Sequence, residues 1–415
     1  MMEPPYSHGS DGSPLARIIN RVGSPLLRAG IPLVNLSKDS LLKSARRRTG
    51  LSEPGRYFSR EGFQILLQSL EKNANLHILG RRGIRRECLR LLCNNLQIQD
   101  DLKHHPEIVK GPIRRPVFIV GLPRTGTTLL HNLLACDPSA RAPLMWELYH
   151  PSPPPTTETR TSDPRIAIAE KRVRRLLRVA PHLALIHPMN PEGPDECFHL
   201  FKNSFMSPAF MLIANVIPYM EWLLAQEMTP AYRYYRQQLQ LLQWRCPGEY
   251  WILKSPSHLP FLDSLFAVFP DACIIQTHRD PLRVVPSFCS LVLTGWQMSS
   301  NRVDVNNVGR QCLNILKIFL DRSMAVREPG RTDQVFDLQY TDLVLDPIAA
   351  VHRIYNHFGL NVGSHMEKRM GRYLAETRRY RNGRHEYSLG AFGLNKEEIG
   401  GMYSDYIKNF SIEME

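Results

Sequence analysis

The chain has no long hydrophobic run: its most apolar segments are broken by charge or proline well short of 18 residues. No stretch therefore reads as a membrane span, and none resembles a secretory signal. None of the eight cysteines forms a C-x-x-C pair. They scatter along the chain, and Cys136, Cys273 and Cys289 sit inside apolar runs, where a thiol behaves as a small hydrophobe. That scatter argues against a disulfide framework and against a zinc site, and for reduced thiols in a cytoplasmic setting. Acidic residues are in deficit: 39 Asp and Glu stand against 52 Lys and Arg, for a net charge of +13. This balance suits an anionic ligand, nucleic acid or an acidic membrane surface. The basic residues are spread over the whole chain and no zinc-finger or RNA-recognition signature accompanies them, so no nucleic-acid partner is expected. With 43% hydrophobic and 22% charged residues, the composition is that of an ordinary globular protein. Its 415 residues suffice for one large domain or two.

What is present centres on Pro116–Leu134, PVFIVGLPRTGTTLLHNLL. Val117–Val120 is a short continuous apolar run rich in β-branched residues, the pattern of a buried parallel strand. The turn Gly121–Thr128 follows, and then Leu129, Leu130, Leu133 and Leu134 recur at helical spacing. Strand, glycine loop and helix form the layout that holds a phosphate, because loop amides and the first helical turn converge on an anion and the helix dipole favours negative charge there. A nucleotide-hydrolase loop would read G-x-x-x-x-G-K-[ST]. Here the glycine spacing is right but Thr127 stands at the lysine position, and a basic residue comes earlier, as Arg124. The loop suits a phosphate and is poorly suited to hydrolysing ATP.

P-R-T-G-T-T-L-L resembles the 5′-phosphosulfate loop of sulfotransferases that use 3′-phosphoadenosine 5′-phosphosulfate (PAPS). The stretch Ile274–Leu291, IIQTHRDPLRVVPSFCSL, resembles the family's 3′-phosphate motif: a strand, then Arg279-Asp280-Pro281, then Ser287 eight residues after the arginine. The arginine-type loop looks closer to the tyrosylprotein and bacterial branches than to the cytosolic branch. The resemblance covers about Pro116 to Leu360. It implies a PAPS-dependent transfer of a sulfuryl group to a hydroxyl, with 3′,5′-ADP released and no metal. Arg124 and the amides of Thr125, Gly126, Thr127 and Thr128 are then expected at the 5′-phosphate, and Arg279 and Ser287 at the 3′-phosphate. Tyr340, in Y-T-D-L-V, is expected to touch the cofactor. Lys254, just after a predicted strand in I-L-K-S-P-S-H, matches a catalytic lysine and would reach the bridging oxygen. A general base must take the acceptor's proton. Glu147, beside Trp146, is the first candidate, with a structural salt bridge or helix cap as its plainer alternative. His258 is the second. Arg381 and Arg384 lie in a basic loop, Arg378–Ser388, that departs from the cytosolic branch's form.

The predicted architecture is an α/β fold, a P-loop-like parallel sheet flanked by helices, with an N-terminal helical extension. Residues 1–55 read as a tail and arm and 56–415 as the sulfotransferase domain, with a helical layer over 56–112 and the PAPS-binding core over 113–415. The basic segment Leu15–Gly50 is either an arm packed on the domain or a peripheral membrane contact. Ile166–Leu185 is expected to be an arginine-rich helix and part of a substrate lid. Phe198–Leu224 is unusually apolar and aromatic, which fits either core or an acceptor pocket for a hydrophobic, lipid-like small-molecule alcohol. Two rivals stay open at this point: a P-loop small-molecule kinase, and a non-enzymatic basic protein that binds membrane surfaces.

Overall fold

Val117–Gly121 (β1) is buried along its whole length, and a strand apolar on both faces must be covered on both. The computed structural model describes residues 18–20, 23, 33–181, 183–186, 189–327, 332–379 and 388–414. It places β1 at the centre of a five-stranded parallel sheet. The other strands are Ala140–Arg141 (β2), Tyr250–Lys254 (β3), Cys273–His278 (β4) and Val335–Gln339 (β5), in the order β2-β3-β1-β4-β5. Val117 lies opposite Ile252 of β3 and Cys273 of β4, which sets the register of the three central strands.

Alternate residues of β1 feed two separate cores, as the two-residue period of a strand requires. Val117 and Ile119 pack with Leu130, Leu133 and Leu134 of the helix Thr127–Leu134, and with the helix Pro347–Phe358. Phe118 and Val120 face the larger core, which the helices Pro281–Gln297 and Val305–Val326 help to close. The expected N-terminal helices form as Arg60–Lys72 and Ile78–His104, each started by a side chain that accepts a first-turn amide, Ser59 and His77. Their apolar stripes join the larger core. So do Leu36, Leu41 and Ala45, the last two on the helix Lys38–Thr49. The larger core therefore takes in side chains from residue 36 onward. The residues before 18 and the loop arginines Arg381 and Arg384 lie outside the described residues.

Two segments carry little periodic signal. β2 has only two residues, too short for any periodicity to show. Phe198–Leu224 is broken into the helix Phe198–Lys202, a 3-10 turn at Pro208–Leu212 and the helix Ile217–Leu224. Pro208 and Pro218 each begin a new element there, since proline favours the first helical turn. Because every strand runs the same way, the loops after β1, β3, β4 and β5 emerge on one edge of the sheet, where open α/β sheets bind their ligands. A cleft of about 2920 Å³ opens there.

Candidate active site

The loop between β1 and the helix Thr127–Leu134 is shaped by close approach. Gly121 has φ +131°, and a Cβ there would lie 2.5 Å from Thr277 Oγ1. Gly126 has φ +84° and lies against the Tyr340 ring and Leu343. Thr125 is buried, and its hydroxyl donates to Leu122 O (2.7 Å) and shares a 2.6 Å bond with Thr277 Oγ1 of β4. Its side chain therefore ties the loop to the sheet. The first intrahelical bond runs from Leu130 N–H to Gly126 O (3.1 Å). Amides before it have no intrahelical partner, as at every helix start. Gly126, Thr127 and Thr128 line the cleft at that point.

Arg124, Ser287, Arg279 and Tyr340, distant in sequence, meet on the β4 side. Arg124 Nε donates to Ser287 Oγ (3.1 Å), and an Arg279 amine donates to Arg124 O (3.2 Å). The Arg279 guanidinium lies 3.9 Å from the Tyr340 ring centroid, a cation–π stack that fixes its plane. All four residues line the cleft. The C-terminal helix Ser404–Asn409 braces this corner, with Arg279 N–H donating to Tyr406 Oη (3.3 Å). No local pattern in the sequence links Tyr406 to Arg279, 127 residues away.

On the β3 side, Lys254 Nζ donates to Glu196 Oε1 (2.6 Å) and to Thr128 Oγ1 (3.4 Å). Lys254 is buried, while the Glu196 side chain keeps 15% exposure and lines the cleft. The pairing has a backbone cause. Cys197 N–H donates to Lys254 O (3.0 Å), which docks the segment before the helix Phe198–Lys202 onto the end of β3. Glu196 belongs to this site and sequence reasoning missed it; Asp195-Glu196 was visible as a carboxylate pair, but nothing nearby in the chain pointed to Lys254.

The two base candidates read from the sequence are not in the cleft. Glu147 has no exposed surface. Arg141 donates to both its oxygens (3.2 and 3.0 Å), Arg160 lies 3.4 Å from Oε1, and Leu144 N–H donates to Oε2 (2.9 Å) at the start of the short helix Met145–Tyr149. Its lone pairs are spent on a buried ion pair and a helix cap. His258 is equally sealed: Nδ1 bonds the Tyr232 hydroxyl (2.9 Å), Nε2 lies 3.2 Å from Cys197 Sγ, and burial pulls the imidazole down to about 3. It is a core histidine beneath the site.

Beyond Lys254 the cleft continues between helices. The ion cluster at its wall is centred on Glu87, which binds Arg90 (2.7 Å), Lys202 (2.6 Å) and Arg172 (3.1 Å). Burial pushes the Glu87 carboxyl up, but the three cations outweigh it and hold it well below the usual range. The helix Pro164–Val179 forms part of this wall, through Arg172, Arg175 and Leu176. Of the aromatic stretch, Phe201, Phe205 and Tyr219 are core, while Phe198, Leu212 and Ile213 reach the cleft. Among the described residues, no helix is long and apolar enough to cross a membrane. All eight cysteines are unpaired.

Residues 116–364 match the family model described as "Sulfotransferase family". The omega-hydroxy-beta-dihydromenaquinone-9 sulfotransferases Stf3 of Mycobacterium bovis and Mycobacterium tuberculosis are 27% identical to the chain over 306 residues, 70% of this chain and 74% of theirs. Two solved structures are similar over nearly the whole chain. Sulfotransferase STF9 from Mycobacterium avium superposes with a TM-score of 0.85 at 30% identity, covering 92% of this chain and 98% of that one. Sulfotransferase STF1 from Mycobacterium tuberculosis H37Rv gives 0.80 at 32% identity, covering 90% and 99%.

Proposed function

The chain belongs to the sulfotransferase family, and we propose that it moves a sulfuryl group from PAPS to the hydroxyl of a hydrophobic, lipid-like alcohol. The observation that carries the reading is the Lys254–Glu196 pair, held 2.6 Å apart at the end of β3 beside the start of the helix Thr127–Leu134. A base without a cation, or a cation without a base, would do half of the chemistry. The residues present suit a polyanionic donor. Helix-start amides at Gly126–Thr128 offer anion contacts, and Arg279, flattened against Tyr340 beside Arg124 and Ser287, offers charged donors for a second phosphate.

In this reading PAPS supplies the sulfuryl group, and the chain's residues do the rest. Glu196 takes the acceptor's hydroxyl proton at a carboxylate oxygen. Lys254 offers a positive charge to the oxygen left on the departing phosphate. The buried setting of Lys254 strengthens that interaction, because less water screens it. The Stf3 relatives are named for a hydroxylated dihydromenaquinone, and the apolar lining at Phe198, Leu212 and Ile213 supports an acceptor of similar character. A cytoplasmic location, suggested by the unpaired cysteines, and contact of the basic N-terminal arm with a membrane that carries the acceptor belong to the same proposal. The kinase reading is dropped, since Thr127 stands where the phosphate-clamping lysine would be.

The test is calorimetry with 3′,5′-ADP and ATP on the wild type and on Arg279→Ala, followed by transfer from labelled PAPS to a panel of alcohols. We expect 3′,5′-ADP to bind at least about tenfold more tightly than ATP, and Arg279→Ala to lose about tenfold or more of that affinity. A preference for ATP, or an unchanged affinity in the variant, would overturn the reading.

A further inference from the structure

Two rows of arginine line the cleft. Arg82, Arg86 and Arg90 recur four residues apart on the helix Ile78–His104, and Arg172, Arg175 and Arg178 three apart on the helix Pro164–Val179. Spacings of three and four place each row on one helix face, and all six side chains line the cleft. Among the described ion pairs, the carboxylate that answers this wall is Glu87, and it is committed to Arg90, Arg172 and Lys202. Among the described ion pairs none includes Arg82, Arg86, Arg175 or Arg178. Rows of like charge at these spacings destabilise the helices that carry them, so the sequence bears a cost that a bound anion would remove. The crowding registers on Arg86: burial first, then the charges of Arg175, Arg82 and Arg172, pull its guanidinium below the usual range.

The donor does not account for these groups. Its cations, Arg124, Lys254 and Arg279, stand at the strand ends and are tied to Ser287, Glu196 and Tyr340. We propose that Arg82, Arg86 and Arg175 form an anion subsite that receives a phosphate or carboxylate carried by the acceptor itself. The acceptor is then an amphiphile, with an alcohol for Glu196, an apolar body for the lining at Leu176, Leu212 and Ile213, and an anionic group for the arginines. Guanidinium suits this task because its planar fork pairs with the two oxygens of a carboxylate or phosphate. The inference rests on the sulfotransferase reading for the hydroxyl but not for the anion.

The test is calorimetry on the full chain saturated with 3′,5′-ADP, with dodecyl phosphate, dodecanoate and dodecanol as probes below their aggregation limits. The wild type is compared with the double variant Arg86→Gln/Arg175→Gln. We expect the two anionic probes to bind about tenfold or more tightly than dodecanol, and the double variant to erase the difference while dodecanol binding stays within about twofold. Equal binding of anion and alcohol to the wild type, or a preference that survives in the variant, overturns the subsite. So does binding to phosphatidylglycerol vesicles without binding of the monomeric probes, which would make the arginines a membrane contact. Failure of 3′,5′-ADP to bind is read separately and counts against the donor assignment alone.

Discussion

Glu147 and Glu196 are both carboxylates facing a cation near the end of the sheet, and they occupy opposite regimes. Behind β2, Glu147 is wholly enclosed, and Arg141, Arg160 and a backbone amide use both of its oxygens. At the end of β3, Glu196 binds Lys254 through one oxygen and keeps part of its surface open to the cleft. A base needs a free lone pair and a path to the substrate, and only Glu196 has both. The difference teaches that desolvation beside an aromatic residue does not by itself make a base. The partners decide, and a carboxylate surrounded by guanidinium is a structural element.

Substitutions that keep shape and remove charge test this contrast most directly. Glu196→Gln is expected to lower transfer by about 10³-fold, with the melting temperature moved by no more than a few degrees. An active Glu196→Gln enzyme would remove the residue from the chemistry. Glu147→Gln is expected to do the reverse. It leaves Arg141 buried without its counter-charge, at a cost of about 3–5 kcal/mol in unfolding free energy by denaturant titration. The fraction that stays folded should bind 3′,5′-ADP normally. Catalytic loss in Glu147→Gln without loss of stability would invert the comparison.

Glu87 is the intermediate case, buried like Glu147 yet on the cleft wall like Glu196. Its carboxyl is held well below the ordinary 4.5 by Arg90, Lys202 and Arg172 acting against burial. A depressed folded-state pKa means that the stabilisation is complete above about 4.5 and is lost as pH falls through the folded value. Glu87→Gln should therefore cost about 3 kcal/mol at pH 7. The gap to the wild type should narrow as the titration is repeated below pH 4.5. A gap that holds constant with pH would show that the cluster acts through packing and not through charge.

The same contrast explains how much could be read in advance. The phosphate loop, Lys254, Arg279, Ser287 and Tyr340 each announce themselves within about ten residues, because a strand followed by a turn and a helix is local in sequence. The sheet then brings them together without further information. Glu196 is bound to Lys254 across 58 positions, and its placement depends on one backbone bond from Cys197 to the end of β3. Tyr406 reaches Arg279 from the last helix of the described chain in the same way. Burial was equally illegible for single residues. His258 follows Lys254 closely in sequence, but the turn after β3 carries it under the sheet edge, where Tyr232 and Cys197 enclose it. The aromatic stretch after Glu196 divided between core and cleft because its prolines break it into short elements.

The smallest expected effect lies in the corner where Arg124, Ser287 and Arg279 meet. Arg124 Nε donates to Ser287 Oγ, so two roles compete for the serine: it holds the arginine in place, or it contacts a phosphate itself. Ser287→Ala should weaken 3′,5′-ADP binding by about fivefold, the worth of one hydrogen bond near 1 kcal/mol. A double-mutant cycle with Arg124→Ala separates the roles. If Ser287 acts by orienting Arg124, its removal costs nothing once the arginine is gone. If it binds the anion directly, the two losses add. We expect the first result. Ser287 is nearly fully buried and its oxygen accepts from Arg124, an arrangement in which the serine acts through the arginine it orients.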